Sequence, residues 1–180
     1  MEAKQIYYYS KEREVKDPVR GTSKSAGIDF FIPKFTIEFL KDLKTKNPNI
    51  SELRPGSYSY YILDDKILLA PGERILIPCG IKLKGHENTA FVAHNKSGIG
   101  SKKGLDRLAE VVDEDYEGEI HINIVNTSNY IVEICEDEKI IQWLEIGVGL
   151  SELKKLNSNE LFNNSTSERK DGGFGHTDKK

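Results

Sequence analysis

The sequence predicts an all-β sandwich or jelly roll. Apolar and polar residues alternate at period two, as where Ile120, Ile122 and Ile124 interleave with Glu119, His121 and Asn123. Such stretches recur at short, regular spacing, joined by turns built on Pro, Gly and Asp, of which Pro71-Gly72 is one. Against this rhythm a single stretch, Phe35 to Lys46, carries helical spacing.

With 180 residues, 37% of them apolar, the chain fits one cored domain over 1–150, followed by an arm over 151–180. A net charge of −3 argues against a duplex nucleic acid or an anionic membrane as partner, because such binding rests on a basic excess. Cys79 and Cys135 each lie among apolar residues and read as reduced core thiols. The first residues lack an apolar signal core, and no apolar run approaches the roughly 18 residues of a membrane helix. A soluble, intracellular protein of the cytoplasm is the expectation.

Taken in order, Gln5 to Tyr9 reads as the first strand, and a charged loop follows to Gly21. Thr22 to Pro33 is a loop entering a strand, with Asp29 directly before Phe30, Phe31 and Ile32. Phe35, Phe39, Leu40 and Leu43 then form one helical stripe, which Thr36 caps and Pro48 ends. A Pro55-Gly56 turn and the tyrosines Tyr58, Tyr60 and Tyr61 follow. Lys66 to Lys84 reads as two strands joined at Pro71-Gly72.

Phe91 to Leu105 places Gly98, Gly100 and Gly104 among Lys96, Lys102, Lys103, Ser97 and Ser101. Backbone N–H groups in a Gly-rich turn, or at a short helix capped by Ser97, favour anions. The spacing matches neither a Walker A loop nor a dinucleotide loop, and a flexible hairpin loop accounts for the composition equally well.

Ala109 to Asn126 organises the rest: Val111 and Val112, the acids Asp113, Glu114 and Asp115, a turn closing at Gly118, then the alternating strand. The pattern is that of a β-hairpin. Asp113 would sit at its mouth, where partial burial suits a general base, although acids before a glycine turn also serve simply to solvate a loop. Tyr130 to Cys135 is a further strand, and Glu136 to Leu144 carries Gln142 and Trp143. From Ser151 onward the composition is that of a flexible arm, yet Arg169 to Thr177 reads RKDGGFGHT. Its glycines admit close backbone approach, Phe174 offers a face for stacking on a base, and Arg169 offers a fork for phosphate.

Five of these segments, in order, resemble the motifs of the trimeric dUTPase family: Ser25 to Asp29, Lys96 to Gly98, Val111 to Gly118, Glu136 to Leu144, and Arg169 to Thr177. The first, third and fifth match well. In the second, Lys96 replaces the usual arginine. In the fourth, Asp137 stands for Gly, Glu138 for Asp and Lys139 for Arg. Pro78-Cys79-Gly80 departs from the usual Pro-Thr-Gly, which reads as a packing substitution. The resemblance implies a jelly-roll-like β-barrel or sandwich, hydrolysis of dUTP to dUMP and pyrophosphate, and a homotrimer whose sites are shared between subunits.

By the same resemblance, Asp113 positions and deprotonates the water, while Lys96, Ser97, Gly98 and Gln142 contact the phosphates. Val111, Val112 and His121 read the uracil edge, Tyr116 packs under the deoxyribose, and Arg107 is a further substrate contact. Arg169, Phe174 and Gly175 close the site from the tail. Mg2+ is carried by the phosphates and waters without a direct protein ligand, Asp29 assisting through water. Residues 35–63 count as an insertion, read as surface decoration or as a partner or trimer contact. A dCTP deaminase, or the bifunctional deaminase and dUTPase, shares this fold but places a catalytic glutamate where Asn123 stands. A nucleotide-switched regulatory protein is the other alternative.

Overall fold

The structure is a computed structural model that describes residues 5–10, 13–48, 61–63, 66–156, 160–168 and 170–172. The chain divides into two compact units, Met1–Gly149 and Leu150–Lys180. The first is built from strands β1 (Tyr7–Ser10), β2 (Ile28–Phe30), β3 (Tyr61–Leu63), β4 (Lys66–Leu69), β5 (Arg74–Pro78), β6 (Ile81–Lys84), β7 (Thr89–Asn95), β8 (Leu105–Arg107), β9 (Val111–Val112), β10 (His121–Asn126), β11 (Val132–Cys135) and β12 (Ile141–Gly147). Helix α1 (Ile37–Lys46) follows β2. The strands pair in four small antiparallel sheets, ordered β1-β6, β5-β10-β8, β11-β4-β3 and β2-β12-β7-β9. Their inward residues share one core that includes Phe30, Ile67, Ile77, Ile122 and Trp143.

Three local expectations are corrected here. Val111 and Val112 do pair, but with Val92 and Phe91 of β7, whereas β10 pairs with β5 and β8. The two arms of the expected hairpin therefore enter different sheets. Alternation identifies a buried face without naming the neighbour that covers it. Likewise, Lys66 to Lys84 forms three strands, and the Pro71-Gly72 turn passes the chain from β4 to β5 in another sheet, with Gly72 at φ +76°.

Helix α1 is the third correction. Thr36 Oγ1 accepts from the Phe39 N–H at 3.2 Å, and Lys44 and Lys46 sit in the last turn, where the macrodipole favours cations. Phe39 and Leu43 are each 1% exposed and belong to the main core, so this part of the insertion is no surface decoration. Burying two such side chains contributes about 1.5–3 kcal/mol apiece. At the C-terminal end the Asn47 amide donates to the Leu76 carbonyl and accepts from the Leu76 N–H, both at 2.8 Å, pairing with the free edge of β5. Residues 49–60, with Pro55, Gly56, Tyr58 and Tyr60, lie outside the described residues.

Within the unit Leu150–Lys180, one 3₁₀ turn runs over Glu160–Phe162, and Leu153, Leu161 and Phe162 are exposed.

Candidate active site

Where the chain parts between β9 and β10, it opens a cleft of about 180 Å³, lined among others by Leu76, Val111, Val112, Asp113, Tyr116, His121 and Trp143. Asp113 is exposed at its edge, contrary to the partial burial expected of it. Its carbonyl accepts from the Tyr116 N–H at 3.2 Å, closing the turn. Tyr116 donates its hydroxyl to the Glu119 carbonyl at 3.0 Å. Its ring covers Gly118 so closely that a Cβ there would lie 2.3 Å from the ring, which is why glycine follows in the sequence. On the outer side, the Glu114 carboxylate accepts from the Asn88 N–H at 2.7 Å and ties the turn to the connection before β7.

Burial pushes the proton affinity of His121 down, and Lys46 of α1 adds to this, so the ring is neutral at neutral pH. His121 Nε2 and Trp143 Nε1 are both buried, and neither has a hydrogen-bond partner among the described residues. Buried polar atoms are nearly always paired. Two orphans on residues lining one cleft mark it as a place for a ligand with polar edges.

A second group gathers around Asp29, which is 4% exposed. Lys96 Nζ lies 2.5 Å from its Oδ1 and Lys139 Nζ 3.2 Å from its Oδ2. Three of the sequence segments thus meet at one carboxylate that spends both oxygens on lysines. Gln142 stands opposite Asp29 in the β12–β2 pairing and donates one amide hydrogen to the Asn95 carbonyl at 3.0 Å. A Cβ on Gly27 would fall 2.1 Å from Gln142 Oε1, so the amide position depends on that glycine.

Ser97 and Gly98 open a helical turn that continues as a π-helical turn over Ile99–Lys103, in place of a flexible loop. No side chain caps it; the Ser97 carbonyl instead accepts from the Ser101 hydroxyl at 2.6 Å. Gly104 ends the turn at φ +65°. Arg107 pairs with Glu110 at 3.1 Å and does not line the cleft. Arg169, Phe174 and Gly175 lie outside the described residues.

Gln142 and Trp143 are neighbours on β12, and successive strand residues face opposite sides of a sheet. Trp143 turns to the core and cleft while Gln142 turns away. Trp143, Lys139 and the buried Glu119 were not singled out as site residues from the sequence. A bulky aromatic beside Gln142, where the fourth motif meets the core, is the signal that would have drawn attention to Trp143. Among the described residues no group of three His, Cys, Asp or Glu side chains is placed to hold a metal, and no helix is long and apolar enough to cross a membrane.

Comparison with known proteins gives a consistent result. A sequence model of the dUTPase family matches residues 48–178 and so begins after the Ser25 to Asp29 segment. The deoxyuridine 5'-triphosphate nucleotidohydrolase of Photorhabdus laumondii is 33% identical over 149 residues, covering 76% of this chain and 95% of that one. The solved dUTPase of Staphylococcus bacteriophage 80alpha with dUPNHPP superposes with a TM-score of 0.67 at 20% identity, over 96% of this chain and 97% of that one. A dUTPase variant from phage phi11 of S. aureus, described as coordinating a structural Mg(II) ion, aligns with a TM-score of 0.62 at 18% identity, over 87% of this chain and 99% of that one. None of these likenesses is to a deaminase. With its jelly-roll-like strands, its segments in family order and these relatives, the chain belongs to the dUTPase family.

Proposed function

We propose that this protein is a dUTP diphosphatase, hydrolysing dUTP to dUMP and pyrophosphate. The observation that carries the reading is the cleft between β9 and β10, with a carboxylate at its edge and, on its lining residues, two ring nitrogens that have no partner among the described residues. A nucleobase has the flat apolar face and polar edges that such a lining accepts.

Asp113 accepts a proton from water as the water oxygen bonds to the α-phosphorus. The bond from that phosphorus to the bridging oxygen breaks, and its electron pair leaves with pyrophosphate. Exposure at the cleft edge leaves Asp113 within reach of a water molecule. Val111, Val112 and the neutral His121 hold the base, and Tyr116 lies against the sugar. Lys96, Ser97, Gly98 and Gln142 bind the phosphate chain, where positioning and charge neutralisation do most of the work. Arg169, Phe174 and Gly175 close the site, and Arg107 acts at its margin.

Gln142 of the phosphate group and Trp143 of the cleft are consecutive on β12 and face opposite sides of it, which supports a homotrimer whose sites are shared between copies. Mg2+ would be carried chiefly by the oxygens of the triphosphate and by its own waters. When bound it neutralises the triphosphate.

The test is a pyrophosphate-release assay on dUTP, dTTP, dCTP and UTP with wild type and Asp113→Asn. Turnover of dUTP alone, with loss of about three orders of magnitude or more in the variant, is expected. Ammonia from dCTP, or an active Asp113→Asn protein, overturns the reading.

A further inference from the structure

We propose that Arg13 is a positioning residue for sugar recognition, acting through Glu119 on Tyr116; this rests on the dUTP reading of the same cleft. Glu119 is 7% exposed, a depth at which a carboxylate persists only when fully paired. Arg13 supplies Nε at 2.7 Å and Nη2 at 3.1 Å to its two oxygens, and the Gly80 N–H donates at 2.7 Å. A fork on two parallel bonds fixes orientation as well as distance, which a point charge does not. Arg13 is itself anchored, its side chain 10% exposed and salt-bridged to Asp42 of helix α1.

The main chain of the same glutamate receives the Tyr116 hydroxyl. Tyr116 is otherwise 43% exposed and lies over Gly118, where no side chain competes for its place. The pose of the ring against the sugar therefore hangs on one hydrogen bond to a residue whose side chain Arg13 locks. Arg13 is 106 residues from Glu119 in sequence, does not itself line the cleft, and meets the lining at Glu119. Its effect reaches substrate only through that lock. Asp42 extends the chain of contacts to α1, so the helix braces the back of the cleft.

The experiment compares full-length wild type, Arg13→Met, Arg13→Lys, Tyr116→Phe and the Arg13→Met/Tyr116→Phe double variant. Two readouts are taken: the ratio of kcat/KM for dUTP over UTP, and backbone hydrogen exchange across residues 113–121. Arg13→Met is expected to lower the ratio about tenfold, mainly through KM for dUTP, and to speed exchange in 113–121 about tenfold while residues 122–126 stay protected. Arg13→Lys, which keeps charge without the fork, gives an intermediate loss of about threefold. The double variant loses no more than the larger single loss, because both act on one contact. An unchanged ratio with unchanged exchange, or additive losses, leaves Arg13 a stability element and overturns the proposal. Should Arg13→Met fail to fold, Arg13→Lys carries both readouts. If wild type leaves dUTP intact, the function reading fails, and exchange across 113–121 still decides the role of Arg13.

Discussion

Lys96 and Asp29, 67 residues apart in sequence, meet at 2.5 Å, and Lys139 completes the contact on the other carboxylate oxygen. A buried acid here holds two cations at the place assigned to the triphosphate. Lysine keeps the charge that arginine would bring, and Asp29 supplies the fixed orientation that a flexible ammonium lacks.

Replacing Asp29 by Asn should therefore cost more than a hydrogen bond. Breaking a buried pair costs about 3–5 kcal/mol. Since the Lys96 and Lys139 side chains are 26% and 38% exposed, a loss nearer to about 2–3 kcal/mol is expected. The urea midpoint of Asp29→Asn against wild type measures it, and a shift below about 0.5 kcal/mol would show that solvent already compensates the lysines.

Gly27→Ala aims at one amide. The new Cβ would lie 2.1 Å from Gln142 Oε1 and 3.0 Å from its Cβ, so the side chain must swing away from Asn95. Its far end is flexible, and stability should fall by about 1 kcal/mol or less. Because the displaced donor belongs to the phosphate group, kcat/KM for dUTP should fall at least about tenfold. Equal activity in both proteins would remove Gln142 from the proposed machinery.

For His121 the sign of the pH effect follows from its depressed proton affinity in the folded state. Between that lowered value and about 6.5, the unfolded chain binds the extra proton. The contribution of this residue is thus complete above about pH 6.5 and is lost as the pH falls through the folded value. Urea titrations at about pH 7 and about pH 5 should show a steeper drop for wild type than for His121→Gln; parallel curves would contradict the assignment.

The two thiols should separate cleanly. Cys79 is 0% exposed, and its thiol donates to the Ile120 carbonyl at 2.8 Å, so burial pushes its proton affinity up and the thiolate does not form. Cys135 is partly exposed. A thiol reagent applied to the native protein should label Cys135 alone, with Cys79 reacting only after denaturation, as peptide mass mapping reads out. The bond to Ile120 also makes Cys79 more than the packing substitution expected for threonine.

How far the sequence reached varies with the range of the contact. Helix α1 was legible because its signals are local: a Thr cap, a stripe and a Pro stop. What the stripe packs against was not, since periodicity gives a face and no partner, and Phe39 and Leu43 went to the main core. The cleft residues Val111, Val112, Asp113, Tyr116 and His121 were legible as one run of sequence, yet their division between sheets was hidden by the same shortness of range. Asp137 shows a local cue carrying structural content: it stands where the family has glycine and adopts φ +60°, a region Asp tolerates better than most side chains. Lys34 at 2.8 Å and Lys16 at 3.1 Å hold its carboxylate and depress its proton affinity. The Arg13 to Glu119 pair bridges too much chain for any pattern to expose.

One consequence of the parting between β9 and β10 concerns folding order. The cleft cannot exist until Val111 has found Val92 and His121 has found Pro78, two long-range pairings in separate sheets. Long-range pairings close late, after their loop entropy has been met. A nucleotide seated there is consequently a test of global assembly, unavailable to any half-formed intermediate. By mass action, ligand at a hundredfold excess over its Kd adds about 2.7 kcal/mol to the native state, and that gain spreads across the entire barrel instead of stiffening a single loop.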